Sequence, residues 1–317
     1  MIIEKTNNKN NLPNKSTSQQ NWKQNIKLST RIKVFIRNFF IKNINNPIQK
    51  FRRNNGLADQ DIFKHVLIQT NYKCTRRCSF CHYGMENPPQ NIDMDENLFY
   101  AIINQLGNIN YSGRIGLFEM NEPLTDTRLN KFLKYTRNKL PMAWIFITSN
   151  GDLLNIQKTE QLFKNGLNFI YLDSYDEIAL KRNLKLIEEI TPKYKKLIHH
   201  MNRTYQIAWS SRAGNIKQFK KNIVFAPCDF VYDVLYIKPI GKVYSCYNDF
   251  YNINEMGDLN KNSILDVWFG SNFKKLRKEL NKCNRNCSEL CRQCDYIGYG
   301  NLPHIPLSWK FKKLSNK

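Results

Sequence analysis

What most constrains this chain is an alternation. From about residue 63, short apolar runs and amphipathic stretches follow one another. HVLIQTN is a short apolar run that ends just before Cys74. DMDENLFYAIINQLGN carries a helical stripe of Phe99, Ile102, Ile103 and Leu106, opened by a capping-box-like pair, Asp93 and Glu96. GRIGLFEMN reads as a strand, and DTRLNKFLKYTRNKL as a helix with Leu129, Phe132 and Leu133 inward. AWIFITSNG is a strand ending in a turn, IQKTEQLFKNG a helix closed by Gly166, and LNFIYLDSYD a further strand. A long helix over about 176–190 and a strand at KLIHHMN complete the series. Such βα alternation predicts an α/β fold with a parallel sheet, right-handed crossovers, and a ligand site at the C-terminal ends of the strands. Cys74, Glu122, Asn150 and Asp173 all follow strands at that end.

After residue 222 the alternation stops. DVLYIKPIGKVYSCYND reads as a hairpin turning at Pro239–Gly241. SILDVWFGSNFKKLRKEL is helical, with Ser263 as cap and Leu265, Trp268, Phe273 and Leu276 as apolar contacts, and four cysteines follow. The expected organisation is a disordered basic tail over 1–28, an amphipathic helical extension over 29–62, a βα core over 63–222, a small cysteine-rich α+β domain over 223–300, and a basic tail over 301–317. The extension holds Ile32, Phe35, Ile36, Phe39 and Phe40 in one helical stripe flanked by Arg31, Lys33, Arg37 and Lys42. It docks on the core or makes peripheral contact with an anionic membrane. No run of eighteen apolar residues and no secretory apolar segment occurs, so a cytoplasmic protein is expected. The net charge of +23 raises a nucleic-acid reading, but residues 1–55 alone hold twelve Lys/Arg against the single acid Glu4. No RNA-binding signature or zinc-finger spacing accompanies the charge, which leaves nucleic acid the minor reading.

Three of the nine cysteines, Cys74, Cys78 and Cys81, fall within eight residues as C-x3-C-x2-C. A structural zinc site wants four ligands, and His82 is badly placed to close a tetrahedron with adjacent Cys81. An iron–sulfur cubane has four iron corners, so three thiolates leave one iron open for a substrate or cofactor. The motif, with Phe80 before Cys81 and an apolar strand before Cys74, resembles the signature of the radical S-adenosylmethionine (SAM) superfamily. That resemblance implies a partial (β/α)6 TIM-like barrel and a 4Fe–4S cluster whose open iron is chelated by SAM. It further implies reductive cleavage of SAM to a 5′-deoxyadenosyl radical, hydrogen abstraction from a substrate C–H bond, and an electron donor such as flavodoxin or ferredoxin. The family's Gly-Gly-Glu-Pro stretch appears here as Met120, Asn121, Glu122 and Pro123, with the carboxylate of Glu122 expected to meet the SAM ammonium. Thr148 and Asn150 resemble the family's Thr-Asn-Gly turn, Asp173 its ribose-side residue, and Arg212 in SSRAG an arginine-bearing strand that meets the SAM carboxylate. Read alone, Asn150–Gly151 is a generic turn and Asp173 a generic cap.

The tail resembles the SPASM region or its shorter Twitch form, in Cys228, in Gly241 spaced from Cys246, in MGDLNKNSILDVW, and in Cys291 and Cys294 of LCRQCD. The resemblance implies one auxiliary 4Fe–4S cluster on Cys228, Cys246, Cys291 and Cys294, with Cys283 and Cys287 left over. The alternative is a zinc site on Cys283, Cys287, Cys291 and Cys294. By its single auxiliary cluster the chain resembles the Twitch dehydrogenases, which implies a radical SAM oxidoreductase acting on a small sugar-like or cyclitol metabolite by oxidation or epimerisation. Modification of a ribosomally made peptide is the second reading, and a metal-stapled nucleic-acid binder the third. No residue is singled out as base or radical quencher.

Overall fold

The computed structural model describes residues 61–86, 92–204, 211–217 and 226–296. The tails and the basic helix read over 31–42 lie outside these residues. Five parallel strands form the core: β1 (His65–Ile68), β2 (Arg114–Gly116), β3 (Trp144–Ser149), β4 (Phe169–Ser174) and β5 (Ile198–Asn202). Helices Glu96–Asn108, Leu129–Lys139, Ile156–Lys164 and Glu177–Glu189 connect them. Val66, Ile68, Ile115, Ile145, Ile147 and Ile170 are wholly buried, because helices cover a parallel sheet and leave its strands apolar.

The sheet does not end at residue 222. Strand β6 (Val234–Ile237) lies parallel to β1 on its outer side, and β7 (Lys242–Tyr244) and β8 (Glu255–Asp258) follow antiparallel. The order is β5-β4-β3-β2-β1-β6-β7-β8. The sixth parallel strand thus sits beyond β1 rather than beyond β5. Val234, Leu235, Tyr236 and Ile237 are all buried, as befits a strand covered on both faces, whereas the hairpin pattern alone pointed to a separate unit. The turn between β6 and β7 falls where the sequence places it, with Gly241 at φ +82°.

Local signals are met with small displacements. The helix at Glu96 is capped by Asp95, whose side chain accepts from the Leu98 amide. Asp93 is instead drawn to Lys73 and to a bridge with Asn71, so it is not the cap. Ser263 caps the helix Ile264–Trp268 in a full capping box with Asp266. The strand read through Asn121 ends at Gly116, and the segment after it turns across the sheet's C-terminal edge. Arg212 is not on a strand. Arg212, Ala213 and Gly214 have φ of +52°, +58° and +85°, a left-handed turn held by Ser211, whose Oγ accepts from the Gly214 amide. Among the described residues no helix is long and apolar enough to cross a membrane.

Candidate active site

The three-cysteine loop leaves β1 and is braced from beneath. The Asn71 side chain accepts from the Lys73 amide and from Asn121 Nδ2 (3.0 Å), and donates to Thr125. Within the loop the Cys81 amide donates to the Cys78 carbonyl, and the Arg76 amide to Cys74 Sγ (3.5 Å). A Cβ on Gly84 would stand 2.0 Å from the Cys78 carbonyl, so only glycine lets the chain fold back this closely. The Arg76 guanidinium forks onto both oxygens of Asp152 at 2.7 Å and reaches Asp176, which caps the helix after β4. Thr75 donates to Asp152 and accepts from Asn150. The loop is therefore tied to the ends of β3 and β4.

Cys74, Cys78 and Cys81 line a cleft of about 140 Å³, together with Phe80, Asn121, Glu122, Thr148, Asn150 and Arg212. Burial raises the Cys74 thiol and pushes that of Cys78 up to about 12, so metal binding must displace protons. Glu122 is 2% exposed and its carboxyl is pushed up to about 7 by burial, against three donors that favour the charge. Oε1 accepts from Ser149 Oγ (2.8 Å) and the Leu124 amide, and Oε2 from the Asn150 amide (2.8 Å). Neither Met120 nor Asn121 is among the positive-φ residues, so the backbone here does not require the glycines they replace. Asp173 does not join the cleft. Its oxygens are taken by Arg203 (3.0 Å) and by the Tyr175 hydroxyl (3.0 Å). Tyr175 lines the cleft in its place, packed on Phe80 with ring centroids 5.1 Å apart. Tyr175, Tyr247, Ser149 and Glu119 are lining residues that the sequence reading missed. Glu119 stood in plain view three residues before Glu122. His82 does not line the cleft; it is buried and stacks on Phe250 at 4.3 Å.

A second, small cavity of about 20 Å³ is lined by Cys228, Cys246, Cys291 and Cys294, with Phe230, Leu290 and Ala213 as apolar wall. Cys283 and Cys287 do not line it. Among the described residues no three His, Cys, Asp or Glu side chains converge closely enough to hold a single metal ion. Four soft donors spread round a void suit a multi-iron cluster, not one zinc. Burial pushes the Cys228 thiol up to about 12, and the buried guanidinium of Arg285, anchored on the carbonyls of Ala226 and Pro227, opposes that shift. The two cavities share a wall. Arg212 and Tyr247 face the cleft, while their chain neighbours Ala213 and Cys246 face the second cavity. The Arg212 guanidinium lies over the Tyr247 ring, 5.2 Å from its centroid.

Residues 68–205 match the profile of the Radical SAM superfamily, and residues 228–295 that of SPASM, an iron–sulfur cluster-binding domain. The chain is 24% identical over 240 residues to an S-adenosyl-L-methionine-dependent 2-deoxy-scyllo-inosamine dehydrogenase of Niallia circulans, spanning 74% of this chain and 94% of that one. Its fold is similar to BtrN in complex with AdoMet and 2-DOIA, with a TM-score of 0.68 at 22% identity over 75% of this chain and 94% of that one. An open conformation of BtrN gives 0.59 over the same shares.

Proposed function

We propose that this chain, which belongs to the radical SAM superfamily and carries a C-terminal SPASM domain, oxidises a secondary alcohol of a small cyclitol-like polyol to a ketone. One observation carries the reading: a three-thiol cleft at the C-terminal strand ends shares a wall with a four-thiol cavity. Cys74, Cys78 and Cys81 hold the SAM-binding 4Fe–4S cluster, and Cys228, Cys246, Cys291 and Cys294 hold the auxiliary one. When bound, the clusters and SAM supply a 5′-deoxyadenosyl radical and a one-electron acceptor.

The protein's own residues position and shield. Glu122 offers a buried carboxylate to the SAM ammonium, and Phe80 with Tyr175 closes one wall of the cleft against water. Asn121, Thr148 and Asn150 line the same space, and Arg212 sets a cation on the wall toward the second cavity. Asp173 acts at one remove, by holding Tyr175 and Arg203. A low-potential carrier such as flavodoxin or ferredoxin supplies the electrons. The likeness to a cyclitol dehydrogenase along nearly that protein's whole length supports the substrate class.

The test is anaerobic reconstitution with SAM, reductant and 2-deoxy-scyllo-inosamine. The wild type is expected to form 5′-deoxyadenosine and a ketone, and the Cys74→Ala, Cys78→Ala, Cys81→Ala triple variant neither. Deoxyadenosine from the triple variant would overturn the cluster assignment. Deoxyadenosine from the wild type with no ketone from this or other cyclitols would overturn the substrate class alone.

A further inference from the structure

We infer that Glu119 is the base of this site: its Oε1 takes the hydroxyl proton of the alcohol being oxidised, while Lys238 keeps its carboxylate charged. The inference rests on the alcohol-oxidation reading above and adds the residue that reading lacks.

Glu119 follows β2 and Lys238 follows β6, so the two come from either side of β1 and meet over its end. The Lys238 ammonium stands 2.7 Å from Glu119 Oε2, with the two side chains 2% and 1% exposed. Glu119 is among the residues lining the cleft, and both its carboxylate oxygens are buried without a hydrogen bond, Oε2 being the one beside the Lys238 ammonium. A buried carboxylate oxygen left unpaired is costly, and a substrate hydroxyl satisfies it. The other lining groups are excluded by chemistry. Glu122, the remaining carboxylate of the lining, already receives three donors. Arg212 cannot give up its proton to become an acceptor. Burial holds the phenols of Tyr175 and Tyr247 neutral. Lys238, Arg212 and Asp249 are the charged groups acting on Glu119, and the phenols of Tyr72, Tyr83, Tyr236 and Tyr244 feel its charge. Burial raises its carboxyl and Lys238 is the largest opposing influence.

The step balances. The carbinol hydrogen leaves as an atom to the 5′-deoxyadenosyl radical, and the hydroxyl proton passes to Oε1. The one remaining electron leaves to the auxiliary iron–sulfur cluster. The alcohol becomes a ketone and the carboxylate a carboxyl.

The test uses the reconstituted holoenzyme with 2-deoxy-scyllo-inosamine deuterated at the reacting carbon. Glu119→Gln keeps the side chain's shape. It is expected to retain iron and deuterium transfer into 5′-deoxyadenosine, while ketone formation falls about a hundredfold. Lys238→Met removes the cation, so the carboxyl pKa rises. The acid limb of ketone formation should then move up by about one pH unit or more. Ketone formation at the wild-type rate in Glu119→Gln, or an unmoved acid limb in Lys238→Met, overturns the inference. A wild type that transfers no deuterium from this or other cyclitols deuterated at the carbinol carbons overturns the alcohol-oxidation reading and this inference with it, an outcome separable from failure of Glu119 alone.

Discussion

At the scale of single residues, burial sets the chemistry of the cleft. Burial pushes the Glu122 carboxyl up to about 7, because its carboxylate has lost water and gained only three neutral donors. An ammonium beside it favours the charged form, so SAM binding lowers its pKa and expels the proton. SAM affinity should therefore rise with pH up to about 7 and level off above. Calorimetry in buffers of different ionisation enthalpy should show release of about one proton at pH 6 and almost none at pH 8.5. Glu122→Gln should abolish the release and weaken binding, whereas release that persists in that variant would place the SAM ammonium elsewhere. Glu122 was legible because a carboxylate follows a strand next to proline. Glu119 was not, since nothing in FEMNEP distinguishes a solvated acid from one that finds a lysine over a hundred residues away.

At the scale of elements, three helices end in the same way. Asn110, Gly166 and Cys283 each adopt positive φ just past a helix. In each case the next amide reaches back to the carbonyl five residues earlier: Tyr111 to Leu106, Leu167 to Leu162, and Asn284 to Glu279. Glycine and asparagine are the usual residues there, which is why Gly166 could be read from sequence as a stop. Cysteine is not, so nothing in the sequence marks Cys283 as a helix stop. Its position makes it a helix terminator that happens to carry sulfur. Cys283→Gly relieves left-handed strain of about 1 kcal/mol. It should raise the thermal midpoint by roughly 2–4 °C with the full iron load retained. Loss of half the iron in that variant would make Cys283 a cluster ligand. Gly166→Ala, by contrast, would meet the Arg137 side chain at 2.6 Å in a backbone that disfavours it.

At the scale of the whole molecule, the auxiliary region is not an appendage. β6 pairs with β1, the strand that delivers the three-cysteine loop, and the Gln69 amide donates to the Ile237 carbonyl beyond the last register pair. Cutting the chain after residue 222 would strip β1 of a neighbour and expose its edge and buried face. The 1–222 fragment should be insoluble or dye-binding and should not hold the first cluster, by iron analysis and circular dichroism. A soluble fragment with a cooperative transition would show that the βα part stands alone. The sequence by itself determined the βα order, the helix faces and the three-thiol motif, because periodicity, capping and short-range spacing are local properties. Only the tertiary structure decided that β6 closes on β1, that Asp173 serves Tyr175 and Arg203 rather than the cleft, and that Glu119 meets Lys238. Each of these depends on which strand becomes whose neighbour, and strand adjacency is chosen by burial across the whole sheet, which no short window of residues records.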